Sequence, residues 1–136
     1  MWQWYALIGM ACFAFMQLLF KHLSRRGVDS AATLLLVFAF GAVLYLVHVR
    51  ATRTPLPTTG PLIALLAITA LLSYVGNLFS VRAVAAAPNP GYAVALVSLQ
   101  AALVTIIAVG LQGATLSWAK AIGVALCCIG VALLVI

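Results

Sequence analysis

Between positions 61 and 111 the chain runs almost without interruption through hydrocarbon side chains, and only one short stretch, "RAVAAAPNPG", breaks it. A bilayer core about 30 Å thick needs about 20 helical residues per crossing, so a mostly apolar stretch of 51 residues is too long for one helix and suits two. Pro88 and Pro90 lack backbone donors, and each turns the residue before it away from helical angles. Gly91 has access to backbone angles closed to other residues. Pro88, Asn89, Pro90 and Gly91 are therefore expected to form a tight reversal between antiparallel spans.

The same count along the rest of the chain gives five spans, at about 2–20, 31–49, 62–81, 92–111 and 118–136. Trp2, Trp4, Tyr5 and Trp118 suit the interfacial aromatic belt, and Ser117 is a candidate N-cap for the last span. "KHLSRRGVDS" and "RATRTPLPTTGP" carry the breaks after the first and second spans. No Lys or Arg precedes the first span, so it reads as a retained anchor and not as a secretory signal. The expected fold is an all-α integral membrane bundle of five transmembrane helices, filling residues 1–136 as one domain. Continuous apolar runs of this length argue against a β-barrel, whose strands are short and alternating.

Composition agrees. Of 136 residues, 67% are hydrophobic and 6% charged, too little polar surface to coat a small soluble fold. The net charge of +6 comes from Lys21, Arg25, Arg26, Arg50, Arg53, Arg82 and Lys120 against one acid, Asp29. These cations fall between apolar runs and form no basic patch, which favours lipid phosphates over nucleic acid. Lys21, Arg25 and Arg26 are the expected headgroup contacts, with Lys21 snorkelling from the end of its span. His22 and His48 lie at span ends as interface residues. Cys12, Cys127 and Cys128 lie in apolar segments at no metal-ligand spacing, so they read as packing residues, and no cofactor or metal is expected.

Polar residues at membrane depth face other helices or a cavity. Thr69, Ser73, Asn77 and Ser80 share one helical face of the third span. Gln100 falls near the middle of the fourth, with Tyr92 and Leu96 on its face. Gln17 lies in the first span between Phe13 and Lys21 at four-residue steps. Gln17, Ser73, Asn77, Tyr92 and Gln100 are the expected substrate pathway; the alternative is that they only tie helices together, at about 0.6 kcal/mol per interhelical bond. A single carboxylate excludes paired-acid catalysis and carboxylate-rich metal sites, and no enzyme is expected. With no Asp or Glu inside a span, exchange of protons through a membrane carboxylate is closed too.

The order of features resembles the EamA domain of the drug/metabolite transporter superfamily. The resemblance rests on Lys21 and Gly27 as a K-x(5)-G exit from the first span, "APNPGYAVAL" leading into the fourth, and "IGVALCCIGVALLVI" as the last helix. It covers essentially the whole chain. Larger members carry two inverted five-helix units, so it implies a half-transporter. The last three spans also resemble those of small multidrug resistance proteins. Two departures matter. Phe13 stands where those exporters carry a membrane glutamate, and Gln112-Gly113 stands where many EamA units have Gly-Glu, so drug/proton antiport is not implied.

Orientation is weakly encoded. Lys21, Arg25, Arg26 and Arg82 would share one side, and Arg50, Arg53 and Lys120 the other. Such balance suits an antiparallel homodimer, with a heterodimer with a sister chain as the rival. Gly123, Cys127 and Gly130 line one face of the last span, as a dimer seam or as packing within the unit. The implied function is a transporter or transporter subunit for small metabolites or lipophilic solutes in the bacterial inner (plasma) membrane, working by alternating access. The alternatives are a lipid-linked substrate flippase or lipid-binding subunit, and a non-transporting accessory membrane protein.

Overall fold

A computed structural model describes residues 2–57, 59–113 and 115–135. Ile136, the end of the fifth expected span, lies outside the described residues. The described chain is helical, in six segments with no strand among them: α1 (Trp2–Arg25), α2 (Ser30–Thr52), α3 (Gly60–Ala86), α4 (Pro90–Ser98), α5 (Gln100–Gln112) and α6 (Trp118–Val135). Four stretches have the length and hydropathy of a membrane crossing: Trp2–Arg25, Ser30–Thr52, Gly60–Ala86 and Pro90–Leu111, the last combining α4 with most of α5. The apolar α6 is shorter, 18 residues, or about 27 Å of helix.

Residues 1–85 form one compact unit and residues 86–136 a second. In the first, α1 packs on α2, and the buried side chains are Phe20, Thr33, Leu34, Leu78, Val81 and Val84. They gather towards the C-terminal ends of α1 and α3 and the start of α2. In the second, α4 packs against α6 more extensively than α5 does, and Ala93 and Val131 are buried on those two helices. Elsewhere large apolar side chains stand exposed, Leu44, Leu72 and Leu133 among them. Water does not tolerate apolar surface of that extent; against acyl chains it is an ordinary outer wall, since lipid is as apolar as leucine.

The helices run past their expected ends because no residue stops them at the membrane boundary. α1 continues through Lys21 to Arg25 until Gly27 takes φ +81°. There the Gly27 N–H donates to the Ser24 carbonyl at 2.9 Å and the Val28 N–H to the Leu23 carbonyl at 3.2 Å, the paired bonds of a Schellman cap. α3 runs five residues past position 81, through Arg82 and Val84 and three good helix formers, Ala83, Ala85 and Ala86. It ends where Pro88 disfavours helical angles at Ala87. Its 27 residues span about 40 Å, more than a bilayer core.

The reversal residues behave differently from expectation in one respect. Only positions 87–89 are non-helical. Asn89 is the N-cap of α4, its side chain accepting the Gly91 N–H at 2.9 Å, and Pro90 opens the helix, where its missing donor costs nothing. Gly91 sits in the first helical turn and is not among the glycines with positive φ. Its lack of a side chain matters for space: a Cβ there would meet Asn89 Oδ1 at 3.2 Å.

The fourth expected span is one apolar stretch but not one helix. At Leu99, with φ −59° and ψ −15°, the ladder slips. The Ser98 hydroxyl takes the Ala95 carbonyl at 2.6 Å, the acceptor the Leu99 N–H would use in a regular helix. The Leu99 N–H instead donates to Leu96 at 3.2 Å. Back-bonding by serine bends helices in this way.

Candidate functional site

In the first unit, the inner face of α1 carries Gln17, Phe20, Lys21 and Ser24. Gln17 is half-buried, and its Oε1 is fully enclosed with no donor, the one such atom among the described residues. A buried acceptor left without a donor costs about 1–3 kcal/mol. One turn later, half-buried Lys21 donates from Nζ to the Ala85 carbonyl at 2.8 Å. Ala85 lies in the last turn of α3, where carbonyls have no helical donor and the dipole favours a cation. The lysine thus ties the end of α1 to the end of α3. Arg25 and Arg26, by contrast, are exposed beyond it.

On α3, Asn77 is half-buried and its Nδ2 donates to the Ser73 carbonyl at 2.8 Å and to the Ser73 Oγ at 3.1 Å. Thr69 turns its hydroxyl to the Leu65 carbonyl at 2.9 Å. Two of the expected pathway residues, Ser73 and Asn77, are therefore in direct contact, while Gln17 Oε1 receives a bond from neither. Part of the polar stripe satisfies itself within α3. A cavity of about 180 Å³ between α2 and α3, lined by Leu34, Phe38, Tyr74 and Leu78, is apolar apart from the tyrosine.

Asp29, the single acid, is committed to structure. Its carboxylate caps α2 by accepting the Ala31 and Ala32 N–H groups at 2.8 and 3.3 Å. Those bonds hold its pKa below the ordinary value, the Ala31 bond most, with a smaller contribution from the charge of Arg82.

In the second unit, Tyr92 and Gln100 are exposed, Tyr92 in the first turn of α4 and Gln100 as the first residue of α5. Gly123 and Cys127 line a cavity of about 480 Å³ between α5 and α6. Nothing stands within 4 Å of where a Cβ would be on Gly123 or Gly130, so this face is not consumed by close backbone packing. The three cysteines are free, and no group of three His, Cys, Asp or Glu side chains that could hold a metal occurs among the described residues.

Apolar helices of crossing length and a lone acid spent on a helix cap describe a membrane protein. The family model for EamA-like transporters matches residues 1–136. The chain belongs to the EamA-like transporter family. It is therefore an all-helical integral membrane protein of a family that moves small solutes across membranes, and the resemblance read from Lys21, Gly27 and the "APNPGYAVAL" stretch is confirmed over the full length. Comparison with curated proteins and with solved structures finds no match.

Sequence reasoning missed two features of this EamA-like chain. The acceptor of Lys21 is a backbone carbonyl 64 residues away, which no side-chain pattern announces. Leu99, at the break between α4 and α5, lines the groove beside α6, and neither proline nor glycine marks that break.

Proposed function

We propose that the chain is one half of a transporter for small metabolites or lipophilic solutes in the bacterial inner (plasma) membrane. It pairs with a second five-helix unit, either another copy in the opposite orientation or a sister chain, and the pair works by alternating access. Gln17, Ser73, Asn77, Tyr92 and Gln100 contribute the solute pathway. The observation that supports this most is Gln17 Oε1, an enclosed acceptor with no donor among the described residues. Alternating access that shifts the helices around it would open Oε1 to a solute N–H or O–H, which would remove a standing cost and favour a polar solute over an apolar one.

Coupling through a titrating membrane carboxylate has no support, since Asp29 is the only acid and it caps α2. Movement down the solute's own gradient fits the residues present. The test is flux of a labelled metabolite panel in proteoliposomes containing Asn77→Leu or Gln100→Leu. Loss of flux with helicity intact supports the pathway; loss of the fold means that these amides only join helices. Retained flux in both variants removes them from the pathway.

A further inference from the structure

The cavity between α5 and α6 has a particular chemistry. Its middle is walled by small residues, Ala101 and Ala102 on α5 with Gly123 and Cys127 on α6. Its two hydroxyls are spent on their own helices, Ser98 on the Ala95 carbonyl at 2.6 Å and Thr105 on the Ala101 carbonyl at 2.8 Å. The wall therefore offers apolar contact and almost no free donor. Lys120 stands at one end, in the first turn of α6, two residues from Trp118, which is 86% exposed.

Tryptophan anchors at the height of lipid headgroups, and a lysine in the same helical turn shares that height. From Lys120 to Cys128 the α6 wall runs eight residues, about 12 Å into the apolar layer. We infer that this groove seats one acyl chain of an anionic membrane phospholipid, with Lys120 on its phosphate. The slip at Leu99 creates the room: α4 stays packed on α6 while α5 packs less closely.

Charge decides among occupants. A second copy would bring seven Lys and Arg against one acid, and so more cations than anions to a lysine. A phospholipid brings the opposite sign together with a chain that matches the wall. The groove is distinct from the polar residues assigned to the solute.

The test is native mass spectrometry of the full chain, released from detergent with equal phosphatidylglycerol and phosphatidylcholine of the same acyl chains. Retention of phosphatidylglycerol about fivefold above phosphatidylcholine is expected, the effect of one lysine near lipid phosphate. Lys120→Gln abolishes that preference and Lys120→Arg keeps it. Equal retention in the wild type, or a preference unchanged in Lys120→Gln, overturns the site. A second measurement leaves the groove unfilled: with Cys12 and Cys128 replaced by alanine, maleimide labelling of Cys127 is slower in phosphatidylglycerol vesicles than in phosphatidylcholine vesicles. Equal labelling rates overturn the proposal, and so does protection of Cys127 that follows protein concentration instead of lipid type, which would place a second copy there.

Discussion

Lys21 Nζ donates to the carbonyl of Ala85 at 2.8 Å, and through that bond the last turns of α1 and α3 hold each other within the first unit. The contact converts a residue suited to reaching lipid phosphate into one that closes a helix end. A hydrogen bond from a charged donor contributes about 1.5–3 kcal/mol. Lys21→Met is therefore expected to lower stability by an amount in that range, with Lys21→Arg losing less, as measured by denaturation in mixed detergent micelles. Equal stability of Lys21→Met and the wild type would show that the ammonium serves headgroups and not the helix end.

The Asp29 cap makes acid tolerance measurable. Its pKa is lowered on folding, so the folded state is favoured where the carboxylate is ionised in both states. That contribution is complete above the ordinary value of 3.8 and fades as pH falls through the lowered folded value. The wild type is expected to exceed Asp29→Ala in stability at neutral pH, and the gap should shrink below about pH 4. Thermal melts of both proteins across that range check it; a gap independent of pH would mean that the ionised carboxylate adds nothing to the cap.

The Ser98 hydroxyl occupies the acceptor that the Leu99 N–H leaves at the slip in the α4–α5 segment. In Ser98→Ala the Ala95 carbonyl is released, and the Leu99 N–H is expected to take it, restoring a regular ladder. Amide exchange at Leu99 should slow severalfold. A spin-label distance between α5 and α6 should shorten as the groove narrows. Unchanged exchange and distance would locate the cause of the slip elsewhere.

Hydropathy exposed the apolar segments because lipid imposes one coarse requirement, about 20 apolar residues per crossing, and each expected span overlaps a helix. The helices extend past those spans because a helix stops at backbone devices and not at the membrane surface: α1 waits for Gly27 to take a left-handed conformation, and α3 for the constraint of Pro88. Asn89 and Pro90 were legible as the break, while Gly91 proved helical, there for space beside Asn89. The slip at Leu99 was hidden, since neither proline nor glycine marks it. At the candidate site, the four-residue spacing of Ser73 and Asn77 forecast their contact. The enclosure of Gln17 Oε1 was not readable, because it depends on which neighbours fold around it.

The proposed solute pathway requires the amide of Gln17 to meet the solute. Replacing an unsatisfied buried acceptor with an apolar group of similar size is neutral or stabilising. Gln17→Leu in proteoliposomes should therefore melt at the same temperature as the wild type or higher, while flux across the labelled metabolite panel drops at least tenfold, the equivalent of about 1.4 kcal/mol. Undiminished flux, or a variant that loses flux only because it no longer folds, would remove Gln17 from the pathway.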